Sequence, residues 1–206
     1  MTGQIIVRGY HGTTRQRVAS ILKDGFEPST SEHSWLGQGR YFFQDAPIHA
    51  YNWARNLLKR ASRRGEGEPV VLSVDLDISQ CMDLTDGLHW LLLRDIVRLT
   101  GTGSRSQLSP LALYLDGAFI DKKQIGFNYE DFVLMEAAIE TLRQNRASQG
   151  LGLTAVRAAF IEGSPVHPNS WLFTQSCVAV SVIDPAAIVN APVEVDMASI
   201  LGTKGS

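Results

Sequence analysis

A chain of 206 residues, 44% hydrophobic and 19% charged, is long enough to fold one domain around a full core. Its net charge of −2 supplies no basic field to recruit nucleic acid, and Cys81 and Cys177 are too few for a disulfide framework, so both read as reduced, buried thiols. Met1 to Ile5 lacks the basic and apolar regions of a signal peptide, and the longest apolar run, Leu111 to Leu115, is far short of a membrane span, so a cytoplasmic protein is expected.

No linker or repeat divides the chain, which is read as one domain over residues 1–200 and a flexible tail over 201–206. Gln4 to Tyr10 forms the first predicted strand and ends in the polar run His11-Gly12-Thr13, where a core would favour another aliphatic residue. Thr13 or Thr14 can cap the next helix, whose apolar face is Val18, Ile21 and Leu22, and Gly25 supplies a left-handed stop after Asp24. A polar loop, Pro28 to Ser34, follows. Leu36-Gly37-Gln38-Gly39 then turns into a second strand, Arg40 to Phe43.

Asp45 can cap a long helix with Pro47 in its first turn. Ala50, Trp53, Ala54, Leu57, Leu58 and Ala61 fall at helical spacing and predict one buried face. Arg55, Lys59, Arg60, Arg63 and Arg64 crowd its far end. Cations beside the negative end of a helix dipole read first as a solvated terminus, and second as a surface for an anionic partner.

Gly65 to Pro69 breaks this helix. Val70, Leu72, Val74, Leu76 and Ile78 then alternate with Val71, Ser73, Asp75 and Asp77, the pattern of a half-buried strand. Helices are predicted over 88–99, with Leu91, Leu92, Ile96 and Leu99 available to a core, and over 129–145, with Phe132, Met135, Ile139 and Leu142 on one face. A Gly/Ser/Thr-rich insert, 101–110, lies between them. Late strands over 155–161 and 176–183 flank a loop from Glu162 to Ser170. Strands and helices mix without strict βαβ alternation, so the fold class is α+β.

Four pieces stand in order within the first quarter of the chain: His11-Gly12-Thr13, Gly25-Phe26, Gly37-Gln38-Gly39-Arg40-Tyr41-Phe42 and Ala50-Tyr51-Asn52-Trp53. This run resembles the ADP-ribosyltransferases of the poly(ADP-ribose) polymerase type, including small bacterial single-domain members. The resemblance implies split mixed and antiparallel β-sheets with flanking helices, and NAD⁺ as co-substrate. It implies a mono-ADP-ribosyltransferase that releases nicotinamide and modifies a protein or nucleic-acid acceptor. A lone domain of this kind further implies a bacterial toxin or anti-phage effector, with an antitoxin as partner.

By the same resemblance His11 holds the adenosine ribose, Gly12 holds the nicotinamide carboxamide through its backbone, and Thr13 adds a polar contact. Tyr41 stacks on nicotinamide, and Trp53 matches a second stacking aromatic or else belongs to its helix's apolar face. The reaction needs a carboxylate near a developing oxocarbenium ion and flat faces for a cationic ring. Relatives place a glutamate at the start of the late strand, where this chain has Gln175 and Ser176. Glu162, ahead of Gly163-Ser164-Pro165, is the expected substitute, because a carboxylate at a strand end can reach into a cleft.

Two alternatives follow from the departures: a weak or dead module that binds NAD⁺ or ADP-ribose, and an RNA 2′-phosphotransferase-like enzyme. The latter needs an Arg/His-rich second motif that Arg40-Tyr41-Phe42 does not provide. Gly37 to Phe42 lacks the third glycine of a dinucleotide fingerprint, and no phosphate-binding loop or nucleophile elbow occurs. His33, His49, His89 and His167 stand at no metal-ligand spacing, so no metal is expected.

Overall fold

The computed structural model describes residues 3–29, 34–61, 67–101 and 129–202 and shows an α+β architecture around one mixed seven-stranded sheet. In chain order the elements are β1 (Ile6–Thr14), α1 (Arg15–Asp24), β2 (Arg40–Gln44), α2 (Pro47–Ala61), β3 (Pro69–Asp77), β4 (Cys81–Asp83) and α3 (Gly87–Gly101). There follow α4 (Tyr129–Ala147), β5 (Ala155–Phe160), β6 (Cys177–Val182), a 3₁₀ turn (Pro185–Ala187), β7 (Val193–Glu194) and α5 (Met197–Ile200). The strands lie in the order β4-β5-β6-β2-β1-β3-β7, and only the β4–β5 pair is parallel.

Strand alternation sends successive side chains to opposite faces, and each face is covered. On one face Val18 and Ile21 of α1, with Phe26, pack on Phe42, Leu72, Val74, Leu76, Val180 and Val182. On the other, α2 lies over β1 and β3 through Ala50 and Val71. Leu93 of α3 and Met135, Ala138 and Ile139 of α4 cover Met82, Val156, Ala158 and Ala179 on that same face.

Double coverage explains where the alternation pattern misleads. β3 is not half-buried: Val71 and Ser73 are as enclosed as Val70 and Leu72, because α2 closes the second face. β1 does not stop at Tyr10 but pairs with β3 through Thr14↔Pro69, so the polar triplet lies inside the strand. Leu22 and Leu91 are exposed, and Leu93 takes the core position on α3. Thr14 occupies the N-cap of α1 without a side-chain cap bond. Asp45 does not cap α2 in the expected way: it sits at φ 51°, and its carboxylate accepts from Gln44 Nε2 at 3.1 Å. The short β4, β7 and α5 carry too few residues for a periodic signal.

The loop tip at 30–33, Arg63 and Arg64, the Gly65-Glu66 break, the insert from 102, the Leu111–Leu115 run and the tail from 203 lie outside the described residues. Among those described, no helix is long and apolar enough to cross a membrane.

Candidate functional site

The seam between β1 and β2 is short. Only Gly9↔Gln44 and Tyr10↔Phe43 pair across it, while β1 continues along β3 and β2 continues along β6. From His11 onward, the β2-facing edge of β1 therefore leaves the ladder. The segment after α1 comes alongside β2 instead: Ser29 N donates to Gly39 O at 2.7 Å, and Arg40 Nε donates to Phe26 O at 2.6 Å.

His11 bridges the parting strands. Its Nδ1 lies 2.9 Å from Tyr41 O, and since a carbonyl can only accept, Nδ1 carries the proton. The imidazole meets Phe26 edge-on at 4.9 Å and Phe42 at 5.7 Å, and those rings are T-shaped to each other at 4.9 Å. Three of the four motif pieces, His11, Gly25-Phe26 and Gly37 to Phe42, thus meet at one point in the sheet.

Burial holds the His11 pKa below its ordinary value; the bond to Tyr41 O opposes this, and the nearby Arg17 charge adds to it. The folded state therefore favours neutral imidazole. The associated stability is fully present above the unfolded pKa near 6.5 and is lost as pH falls through and below it. Thermal midpoints of the parent and His11→Gln should converge on acidification from about pH 7 to about pH 5. Parallel curves across that range would show that His11 is not held neutral.

Tyr41 points to the opposite face from His11. Its register partner is Ser181, and its ring packs with the core under α3 and α4. Its hydroxyl is tied at both ends: Leu36 N donates to it at 2.9 Å, and it donates to Gly37 O at 2.8 Å. Burial pushes the phenol up to about 12, and the charge of Glu136 works in the same direction. Gly37 is at φ +74°, and Glu136 Oε1 accepts the Gln38 backbone N–H at 2.6 Å.

Gly12 faces α2. A Cβ there would come within 2.0 Å of Ala50 O and 3.2 Å of Ala54 N, so its lack of a side chain lets the helix backbone approach. Thr13 is buried on the His11 face. Trp53 does not belong to the buried face of α2: it is 47% exposed and meets Phe43 at 6.4 Å between ring centres. Arg55, Lys59 and Arg60 are exposed at the helix end, and Arg55 lies 5.9 Å over the Tyr51 ring.

Glu162 is not brought to this place. Beyond β5 and β6 the ladder continues as Gln175 N donates to Glu162 O at 3.0 Å, and the chain between them folds into a hairpin. Tyr41 stands opposite Ser181, which is six residues from Gln175, or roughly 20 Å along the strand. Gln175 and Ser176, the other candidates, stand at the same remote end and are exposed. Glu162 instead lies near Cys177, whose thiol is pushed up to about 11 by burial and by that carboxylate.

The carboxylate that does meet the Tyr41 region is Glu136, which periodicity alone passes over. It sits next to Met135 and one turn from Phe132, at the border of the apolar stripe on α4, where a polar residue reads as solvent-facing. Among the described residues, no cluster of three or more His, Cys, Asp or Glu side chains could hold a metal ion.

No family model matches the chain, and no solved structure matches it. An uncharacterized protein of Methanocaldococcus jannaschii is similar, at 28% identity over 127 residues. The match covers 58% of this chain and 58% of that relative.

Proposed function

We propose that this domain is an NAD⁺-dependent mono-ADP-ribosyltransferase of the poly(ADP-ribose) polymerase-like type. One observation carries the reading: the separate motif segments converge through His11, Phe26, the Tyr41 carbonyl and Phe42 where β1 parts from β2. That two-pair seam is where a split of the sheet into the family's two halves would fall. NAD⁺ entering it would exchange the His11–Tyr41 link for contacts to the dinucleotide. The imidazole would then hold a ribose on one face of the sheet, and the dinucleotide would pass through the parted seam so that the Gly12 backbone holds the carboxamide and the Tyr41 ring, on the other face, the nicotinamide. Trp53 lies on the α2 side as an exposed aromatic face for a second contact.

A toxin or anti-phage role in a bacterial cytoplasm, with an antitoxin partner, belongs to this reading through the resemblance alone. The remote place of Glu162 and the uncharged Gln175 and Ser176 favour a second reading, a module that binds NAD⁺ or ADP-ribose without turning it over. Nicotinamide release from NAD⁺ separates the two. The purified protein with labelled NAD⁺ and cell extract should yield free nicotinamide and a labelled macromolecule. Label removed by nuclease or by protease identifies the acceptor class. NAD⁺ binding without release would leave the binding module, and no binding at all would end both readings.

A further inference from the structure

Resting on the transferase reading, we infer that Glu136 is the carboxylate that serves Tyr41: one oxygen fixes the Gly37–Gly39 turn, and its charge supports the positive charge that develops at C1′ as nicotinamide leaves. The stripe Phe132, Met135 and Ile139 seats α4 on the sheet and brings Glu136 to the turn. Glu136 Oε1 accepts the Gln38 N–H at 2.6 Å, while among the described residues Oε2 accepts no hydrogen bond. The approach depends on glycine: a Cβ on Gly37 would lie 2.5 Å from that same Oε1 and 2.7 Å from Ile139 Cδ1. The turn in its own right grips the Tyr41 hydroxyl through Leu36 N and Gly37 O. Glu136, the turn and the Tyr41 ring are therefore one connected unit.

This places negative charge where the reaction needs it and where the late strand offers none. In the transfer, the bond from the nicotinamide nitrogen to C1′ breaks with both electrons going to the ring, which loses its positive charge. A lone pair of the acceptor forms the new bond to C1′, and the acceptor's proton passes to solvent. Glu136 exchanges no proton in this step. It acts by charge on C1′, where positive charge develops as the ring loses its own, and by holding the turn.

Glu136→Gln keeps an oxygen for the Gln38 N–H but removes the charge, so nicotinamide release at saturating NAD⁺ should fall about 10²-fold or more. KM should stay within about threefold of the parent, because the turn and ring are still held. Glu136→Asp, shorter but charged, should keep more kcat than Glu136→Gln. Glu136→Ala should lose kcat, raise KM and lower the thermal midpoint together. Glu140→Gln, exposed one turn away, should behave as the parent. An active parent with Glu136→Gln at parental kcat, or with Gln equal to or better than Asp, overturns the inference alone. A parent that neither binds NAD⁺ nor releases nicotinamide overturns the transferase reading as well, which is a different result.

Discussion

Gly12→Ala should cost about 3 kcal/mol of stability, the upper part of the range for overpacking a well-filled interior. The obstacle is backbone: the new methyl would meet the carbonyl of Ala50 at 2.0 Å for oxygen and 2.9 Å for carbon. A flexible side chain could rotate away, but a helix in register cannot. Relief requires α2 to lift from β1, which uncovers Ala50 and Val71. Gly25→Ala is the comparison, since Gly25 sits at φ +85° with nothing within 4 Å of its missing Cβ. With ψ −178° Gly25 lies in an extended region nearly reserved for glycine, so that change carries backbone strain alone, of about 1–3 kcal/mol. Urea unfolding of both variants checks the order. If Gly12→Ala proves no worse than Gly25→Ala, α2 does not press on β1 as closely as its backbone positions indicate. The result also bears on function: NAD⁺ binding lost in an unfolded Gly12→Ala would say nothing about the Gly12 backbone as a ligand contact.

The same glycine shows why the sequence yields some features and conceals others. A Gly between His and Thr at a strand end is visible locally, and so is its departure from aliphatic patterning. Whether the reason is a ligand or a helix crossing the strand depends on α2, which is 35 or more residues away in the chain. The elements themselves were largely legible, since α1, α2, α4 and the late strands each carry a repeating apolar signal at their own period. The face of a residue was less so. Trp53 has the spacing of the buried stripe on α2 but is 47% exposed and meets the sheet only through Phe43, whereas Ala50 and Ala54 are fully buried.

The two carboxylates illustrate the larger gap. Glu162 ends a strand before a Gly-Pro loop, and a local pattern can identify a strand end without saying which end of the sheet it joins. The antiparallel register of β5, β6 and β2 settles that, by carrying Glu162 away from Tyr41. Glu136 sits in mid-helix beside a core stripe, where no local signal marks it. It meets the Gly-x-Gly turn only because α4 packs across β5 and β6.

Tyr41 should separate affinity from stability when its ring and hydroxyl are removed in turn. Tyr41→Ala removes a packed ring, at about 3–5 kcal/mol of stability. It also removes the stacking face, worth about 0.5–1.5 kcal/mol of binding, which is up to about tenfold in NAD⁺ affinity. Tyr41→Phe keeps the face, so affinity measured on folded protein should stay close to the parent. Its stability should not, because Leu36 N–H and Gly37 C=O lose the hydroxyl that satisfies them, at about 1–3 kcal/mol. Ring chemistry alone would make the Phe variant silent; the two hydroxyl bonds make it silent in binding only. Calorimetric titration and urea unfolding of both variants test the separation, and equal affinity losses would assign binding to the hydroxyl and its turn. Alkaline pH offers an independent check on the same group. The folded phenol is raised to about 12, while the unfolded one titrates near its ordinary value of about 10. Its contribution is thus fully present below pH of about 10 and is lost as pH rises toward about 12. The stability gap between the parent and Tyr41→Phe should therefore narrow over that interval. A constant gap would mean that the Tyr41 hydroxyl is not held protonated by the core around it.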